Sequence, residues 1–221
     1  MTVLDSHPDA AGIDQVRLTP VPLVPEIRLL LAQDAIVLWA RLEAAEGRHL
    51  PAPYWASAWA GGQALARYVL DHPDTVAGRS VLDLASGSGL VAIAAALAGA
   101  HTVTANDVDP YAIEAIGANA RANGVTVRPL ADDLLDGDGH GADVVLAGDV
   151  LYDATMARRV VSFLTRAADR GADVLLGDPG RQRPRTDRLR RVASYAMPAV
   201  AGTPEDAQLP RTEVFAVDRR T

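Results

Sequence analysis

The chain has 221 residues, of which 49% are hydrophobic and 22% charged, and its formal net charge is −7 at pH 7. This length and composition are typical of a single globular domain with a sizeable core, and they exclude an intrinsically disordered chain. The acidic balance argues against a nucleic-acid partner, because binding to phosphates requires a basic surface. The chain has no cysteine, which excludes disulfides and thiolate metal sites.

Neither a metal site nor a membrane anchor is predicted. The five histidines are spread along the chain without the short spacings of metal ligands. The first residues lack a basic segment followed by an apolar run, and there is no apolar stretch of about 18 residues, the length of a membrane-spanning helix. We therefore expect a cytoplasmic protein. The sequence leaves its oligomeric state open.

The first 72 residues are predicted to be a loose arm followed by a helical cap. Residues 1–24 are assigned to the arm, which is rich in small, polar and proline residues. From Pro25 onward, apolar residues recur at intervals of three and four, and Gly47 provides a stop, which predicts a helix over 25–46. An aromatic loop leads into a second predicted helix, from about Ala58 to Asp71.

The region 79–221 is predicted to be the α/β core of the same domain. Its strand candidates are SVLDLA, HTVTAN, VTVRPL, ADVVLAG and ADVLLG, and its helix candidates are LVAIAAALAG, PYAIEAIGANARANG and TMARRVVSFLTRAADRG. This alternation predicts right-handed crossovers and a largely parallel sheet with helices on both faces. The segment RPRTDRLRRVASYA is expected to be a further helix. AMPAVAG and TEVFAVDRR are expected to form a hairpin at the sheet edge.

A glycine-rich turn follows the first of these strands, in VLDLASGSGLVA. Gly87 and Gly89 satisfy the G-x-G-x-x-G/A pattern of a dinucleotide-binding turn. Because ligands of open parallel sheets lie beyond the carboxyl ends of the strands, this turn marks the predicted site. The glycines alone leave two ligands open, NAD and S-adenosylmethionine.

Carboxylates at the strand ends favour S-adenosylmethionine. Asp83, near the end of the first strand, would repel the pyrophosphate of NAD by up to a few kcal/mol at an effective dielectric of about 20, and it would attract an ammonium or sulfonium. Asp107 ends the second strand, where it can accept the ribose hydroxyls of either ligand. The alternative for Asp107 is to cap the helix that starts near Pro110, a role that suits Asp109 better. Asp132 or Asp133, after the third strand, is expected to accept from the adenine amino group, and a solvated loop acid is the alternative for each.

The motifs DLASGSG, NDVDP and GDVLYD resemble those of the seven-strand, Rossmann-like methyltransferases that use S-adenosylmethionine. The D-x-x-Y motif, here Asp149-Val-Leu-Tyr152, is similar to that of protein lysine methyltransferases. The blocks PYWASAWAGGQALARYVLDHP, LLGDPGR and PEIRL narrow the resemblance, over roughly 25–181, to the family that methylates the β-subunit of electron-transfer flavoprotein. The resemblance implies the strand order 3-2-1-4-5-7-6 with the last strand antiparallel.

Two positions depart from the family pattern. Ala85 stands where a glycine is usual, and Trp59-Ala60 stands where the family has tryptophan-proline. Alanine at position 85 is acceptable if its φ is negative, since only a positive φ favours glycine. The cofactor assignment is therefore kept, with Ala85 and Trp59 among the residues expected to contact S-adenosylmethionine.

The resemblance also implies roles for the D-x-x-Y residues. Asp149 is expected to accept a hydrogen bond from the incoming amine, and Tyr152 is expected to line the acceptor channel. Trp55 and Trp59 are placed near the methionine end of the cofactor, with helix-to-sheet packing as the alternative. The expected substrate rim comprises Trp55, Asp153, which could instead cap the next helix, and Arg181, which could contact an acidic substrate surface.

Several functions remain as alternatives to a protein lysine methyltransferase. A small-molecule N-methyltransferase would use the same chemistry on an amine. From other classes, an NAD-dependent oxidoreductase is disfavoured by Asp83, and a cofactor-binding module without catalysis stays open. A methyltransferase of nucleic-acid bases is disfavoured because GDVLYD stands where an N/D-P-P-Y/F run would be expected.

Overall fold

The computed structural model describes residues 16–137, 139, 141–180, 187–198 and 211–220. An antiparallel hairpin of β1 (Val16–Val21) and β2 (Val24–Ala32) comes first, followed by helices α1 (Ala35–Glu46) and α2 (Ala60–Asp71). The core then runs through β3 (Ser80–Leu84), α3 (Leu90–Leu97), β4 (Thr102–Asp107), α4 (Pro110–Ala122), β5 (Arg128–Ala131), β6 (Val144–Gly148), α5 (Ala154–Asp169), β7 (Asp173–Asp178), β8 (Leu189–Tyr195) and β9 (Thr212–Val217). Among the described residues, no helix is long and apolar enough to cross a membrane.

The seven core strands form one sheet in the order β5-β4-β3-β6-β7-β9-β8. Counted from the first core strand, this is the order 3-2-1-4-5-7-6. β3 pairs in parallel with β4 and with β6, whereas β9 is antiparallel to β7 and to β8. The predicted strand order and the antiparallel last strand are therefore confirmed. The strand order reverses at β3, which places the expected binding crevice at the carboxyl end of that strand.

Successive residues of the central strands face two apolar layers. Val81 and Val144 pack on the side of α2, α3 and α4, while their neighbours Leu82 and Val145 pack on the side of α5. Burial on both faces explains why these strands are continuous apolar runs in the sequence. Helices therefore hold the sheet rigidly on both faces, and the loops at the carboxyl ends of its strands form the site.

The N-terminal helix predicted over 25–46 is wrong in its first part, because residues 24–32 form β2 and α1 begins only at Ala35. Ile27 and Leu29 are fully buried on either side of the exposed Arg28, a two-residue spacing that only a strand provides. The Asp34 carboxylate caps α1 by accepting from the backbone amides at 36 and 37. β1 also occupies the end of the predicted loose arm, whose residues 1–15 lie outside the described part.

The helix predicted at RPRTDRLRRVASYA is also wrong, because its described second half forms β8, and 181–186 lie outside the described residues. β8 pairs with β9 at the sheet edge, and this pairing overrides the helix propensity of its arginines and leucine. The strand predicted at TEVFAVDRR is confirmed as β9, which pairs with β8 and β7. Its predicted partner, AMPAVAG, forms no strand over 196–198, and 199–202 lie outside the described residues. The predicted helix from about Ala58 to Asp71 is confirmed as α2.

Candidate active site

A cavity of about 720 Å³ opens at the carboxyl ends of β3, β4 and β6. This volume lies within the range of small-molecule sites. The charged side chains that line it, among the described residues, are six aspartates and two arginines: Asp83, Asp107, Asp109, Asp132, Asp133, Asp149, Arg48 and Arg159. The excess of carboxylates favours a cationic ligand.

The glycine turn forms one wall of the cavity, and its two glycines are required by the backbone. Gly87 and Gly89 have φ angles of 57° and 85°, which L side chains rarely adopt. A Cβ on Gly89 would also lie 3.3 Å from the Cα of Ile116 in α4. The turn is therefore a closely packed structure in which backbone, rather than side chains, faces the ligand.

The expectation of a negative φ at Ala85 is wrong, because the φ of this residue is 51°. A left-handed conformation costs a non-glycine residue about 1–2 kcal/mol. The alanine therefore adopts the conformation for which the family uses glycine, and it does so on the wall of the cavity. The departure from the family pattern preserves the shape of the turn at a cost in stability.

Asp83 lies beneath the turn and is 1% exposed. Its Oδ2 accepts hydrogen bonds from the Ser86 hydroxyl and from the Ala92 amide at 3.0 Å. Burial raises the pKa of Asp83 to about 7, against these two hydrogen bonds, which lower it, and the nearby charge of Asp107 raises it further. A cation in the cavity would favour the ionised carboxylate, so Asp83 links the affinity for a cationic ligand to pH.

Asp107 joins the end of β4 to the glycine turn. Its Oδ2 accepts from the Gly87 amide at 2.8 Å, and its Oδ1 accepts from the Asp109 amide at 3.0 Å. Each carboxylate oxygen has a further lone pair, so Asp107 can still accept hydroxyl hydrogen bonds from a ribose. Asp109 accepts from the Tyr111 amide at 2.9 Å and caps α4, which confirms its predicted capping role.

The two candidates for adenine recognition differ in what they already bind. The Asp133 carboxylate accepts from the Leu135 amide and lies 3.0 Å from Arg159, and both interactions hold the pKa of Asp133 below its usual range. The side chain of Asp132 is exposed on the cavity wall, while its carbonyl accepts from Asn106 Nδ2 at 2.8 Å. Asp132 is thus the better placed of the two to bind a ligand.

Asp149 is held between the end of β6 and the start of α2. Its φ is 57°, its Oδ2 accepts from the Gly62 amide at 2.8 Å, and its own amide donates to the Gly177 carbonyl at 2.9 Å. A Cβ on Gly61 would overlap the Gly177 carbonyl oxygen, so the glycine pair lets the helix approach the strands. The positive end of the helix therefore faces the carboxylate and fixes its orientation.

Three aromatic rings stand at the cavity mouth beside Asp149. The Tyr54 ring centroid lies 5.8 Å from that of Trp59 and 5.5 Å from that of Tyr152. Trp59 also donates from Nε1 to the Tyr54 carbonyl at 2.8 Å. Burial raises the pKa of the Tyr152 phenol, as do the charges of nearby groups, so the hydroxyl stays protonated near neutral pH. Tyr54 was not predicted as a site residue, because the block in which it lies, PYWASAWAGGQALARYVLDHP, assigns it no role.

The structure describes two of the three residues predicted at the substrate rim, Trp55 and Asp153. Trp55 is 2% exposed and stacks on Tyr111 at a centroid distance of 6.4 Å, so it forms the inner wall of the cavity instead of the rim. The Asp153 carboxylate accepts from the Thr155 and Met156 amides, both at 2.9 Å, which confirms its capping alternative. Arg181 lies outside the described residues.

The open sheet has an acid and a glycine turn after its first strand and a second acid after the neighbouring strand, an arrangement that agrees with the S-adenosylmethionine-dependent methyltransferases that the sequence motifs resemble. Residues 63–169 match the family model described as ribosomal protein L11 methyltransferase (PrmA). A solved structure, magnesium protoporphyrin IX methyltransferase from Synechocystis PCC 6803 with bound SAM, shares the fold. It is 16% identical with a TM-score of 0.52, over 85% of this chain and 83% of that chain.

Curated relatives identify the family more narrowly. The electron transfer flavoprotein beta subunit lysine methyltransferase of Rattus norvegicus is 41% identical over 182 residues, which are 80% of this chain and 71% of the relative. The protein of the same name from Danio rerio is 42% identical over 171 residues, 76% of this chain and 66% of the relative. The chain belongs to the family of electron transfer flavoprotein beta subunit lysine methyltransferases. This membership sets aside the oxidoreductase and the non-catalytic module.

Proposed function

We propose that the protein transfers methyl groups from S-adenosylmethionine to lysine side chains of a protein, with the β-subunit of electron-transfer flavoprotein as the substrate. The observation that carries this proposal is an acidic cavity whose mouth, beside Asp149, is walled by half-exposed aromatic rings. Such a mouth suits a long cationic side chain that enters from another protein. The names of the curated relatives point to the same substrate.

The residues of the cavity fit S-adenosylmethionine, which supplies an electrophilic methyl group on a sulfonium. Asp107 would accept the ribose hydroxyls, and Asp132 would accept from the adenine amino group. Asp83 and the backbone of the glycine turn would face the cationic methionine end. The carboxylates that line the cavity attract a positively charged ligand, whereas they would repel the negative charge of a pyrophosphate.

The acceptor must lose a proton before it can react. A lysine ammonium has a reference pKa of about 10.4, so reaching the neutral amine at pH 7 costs about 4.6 kcal/mol. Asp149 attracts the ammonium and orients it, although a carboxylate by itself favours the protonated form. Because the Gly62 amide already donates to Asp149 Oδ2, we assign Asp149 to positioning of the amine rather than to its deprotonation.

The aromatic rings would guide the acceptor and exclude water. A cation over the face of a tyrosine or tryptophan gains about 0.5–2 kcal/mol, and it gains more as water is removed. Tyr54 and Tyr152 are 50% and 45% exposed, so their faces are accessible to an incoming side chain. The neutral phenol of Tyr152 can also accept a hydrogen bond from the amine. The chain thereby contributes mainly alignment of the acceptor.

The exposed character of the mouth supports a protein acceptor over a small amine. Val108, which also lines the cavity, is 67% exposed, and with Tyr54 and Tyr152 it adds apolar surface around the opening. Exposed apolar residues around an opening mark a surface for a protein partner. A site for a small molecule would enclose its ligand more fully.

Steady-state methylation of purified electron-transfer flavoprotein tests the proposal. The wild-type enzyme with labelled S-adenosylmethionine should label the β-subunit. The Asp149→Asn variant should lose about two or more orders of magnitude in kcat/KM, as expected when a positioning contact is lost. Asp173→Asn is the matched control, because Asp173 pairs with Arg79 and Arg219 at the opposite end of the sheet. Equal activity of the Asp149 variant and the wild type would contradict the role given to Asp149.

A further inference from the structure

One buried side chain joins the N-terminal hairpin to the glycine turn. Asn119, on α4, is fully buried. Its Oδ1 accepts from the Leu30 amide of β2 at 2.8 Å, and its Nδ2 donates to the Ser88 carbonyl of the turn at 2.8 Å. Both ends of the amide are therefore satisfied, one by the hairpin and one by the turn.

Asn123, one helical turn later, holds the same strand without reaching the glycine turn. Its Oδ1 accepts from the Arg28 amide at 3.0 Å, and its Nδ2 donates to the Arg28 carbonyl at 2.7 Å. The side chain thus imitates a neighbouring strand along the free edge of β2. Both residues are asparagines that bind β2, but Asn123 follows the end of α4, is only partly buried, and also donates from Nδ2 to the Asn119 carbonyl at 2.8 Å. Of the two, Asn119 alone bonds to Ser88.

Two hydrogen bonds hold the Ser88–Gly89 peptide: Asn119 donates to its carbonyl, and its amide donates to the Ser86 carbonyl at 3.0 Å. Asn119 is the one of the two that comes from outside the turn. Ser88 is 6% exposed, so little water is available to replace a lost donor. The next residue is Gly89, whose φ of 85° and missing Cβ would let the peptide rotate if the donor were removed. Such a rotation would displace the turn that forms the wall of the cofactor cavity.

We propose that Asn119 is a positioning residue for S-adenosylmethionine. Asn119 fixes the glycine turn in the conformation that receives the cofactor. Because Asn119 also bonds to Leu30, it makes the β1–β2 hairpin part of the cofactor site. Asn119 does not itself line the cavity. Its effect on the cofactor is therefore carried by Ser88 and the turn.

Calorimetric titration with S-adenosylhomocysteine compares Asn119→Ala with Asn123→Ala. Both variants should lower the melting temperature, because both release the hairpin from α4. Asn119→Ala should weaken binding about tenfold, because the free variant no longer holds the turn in the conformation that the ligand requires, whereas Asn123→Ala should stay within about twofold of the wild type. Equal affinities in the two variants would overturn the proposal. The titration involves no acceptor, so its result is independent of whether lysine is the substrate.

A second pair of variants removes the donor to Ser88 while keeping the side-chain volume at 119. Asn119→Asp keeps an acceptor for the Leu30 amide but presents an oxygen, instead of an N–H donor, to the Ser88 carbonyl. Asn123→Asp makes the same change away from the turn. We expect the KM for S-adenosylmethionine to rise in Asn119→Asp only, with the acceptor KM and kcat nearly unchanged. A fall in kcat together with a rise in both KM values, to the same extent in the two variants, would overturn the proposal and indicate a general structural role.

Discussion

Asp83→Asn should change the pH dependence of both stability and cofactor binding. Asp83 is almost completely buried, and burial raises its pKa to about 7, from an ordinary value of 3.8. Between these two pH values the folded chain keeps a proton that the unfolded chain has released. Stability must therefore fall as pH rises through this window, by about 1.4 kcal/mol per pH unit for this one group. Asparagine has no such proton, so the variant should lack this part of the fall.

The difference between wild type and variant isolates the contribution of Asp83. Free energies of unfolding of the ligand-free proteins, measured by urea denaturation at pH 5 and pH 7, should show a relative gain of the variant of about 2.3 kcal/mol on going to pH 7, because the slope halves as the pH reaches the folded-state pKa. All other titrating groups are common to the two proteins and cancel. A difference that stays constant between the two pH values would refute the assigned burial effect.

Cofactor affinity should respond in the opposite direction. The ionised carboxylate is the form that attracts the ammonium of the ligand, and with a pKa of about 7 it makes up about 10% of the folded protein at pH 6 and about 90% at pH 8. The affinity of the wild type for S-adenosylhomocysteine should therefore increase about ninefold between these pH values. Asp83→Asn should bind S-adenosylhomocysteine more weakly than the wild type does. Its affinity should also lack this increase between pH 6 and pH 8. An equally steep increase in the variant would show that another group is responsible.

Three further substitutions test other parts of the site. Ala85→Gly should raise the free energy of unfolding by about 1 kcal/mol in urea denaturation, because φ is 51° there, and a loss of stability would contradict the left-handed conformation. Gly61→Ala should cost about 3 kcal/mol or more through its overlap with Gly177, whereas Gly117→Ala, whose Cβ meets only the end of the Arg121 side chain at 3.4 Å, should be neutral or slightly stabilising. Tyr54→Leu should raise the acceptor KM about three- to fivefold while Tyr54→Phe retains the wild-type value, and equal effects of the two would exclude an aromatic contact.

The parallel core and the place of the site could be predicted from the sequence because both depend on local patterns. Short apolar runs separated by helical segments fix a parallel sheet, and the acids at the strand ends then lie at one edge. Asp83, Asp107 and the glycine turn lie at the ends of those strands, so their meeting followed from the strand order that the family resemblance implied. The capping aspartates at 109 and 153 were likewise readable from their position before a helix.

The errors lie where distant contacts decide the local structure. In β2 the leucines after Ile27 imitate a helical repeat, and only pairing with β1 and burial against the core select the strand. The same holds for β8 against β9. Asn119 gave no signal because its partners, Leu30 and Ser88, are 89 and 31 residues away in the chain. The cytoplasmic location stays a prediction.

The most direct test of the proposed function is a competition for labelled methyl groups in one mixture. The enzyme, labelled S-adenosylmethionine, electron-transfer flavoprotein and a panel of small amines are incubated together, and peptide mass spectrometry locates the label. Because this chain contains no lysine, any labelled lysine belongs to the substrate. We expect the label on lysine of the flavoprotein β-subunit and a much lower level with Asp149→Asn. Label in the amines alone, with an unmodified flavoprotein, would contradict the proposed protein substrate.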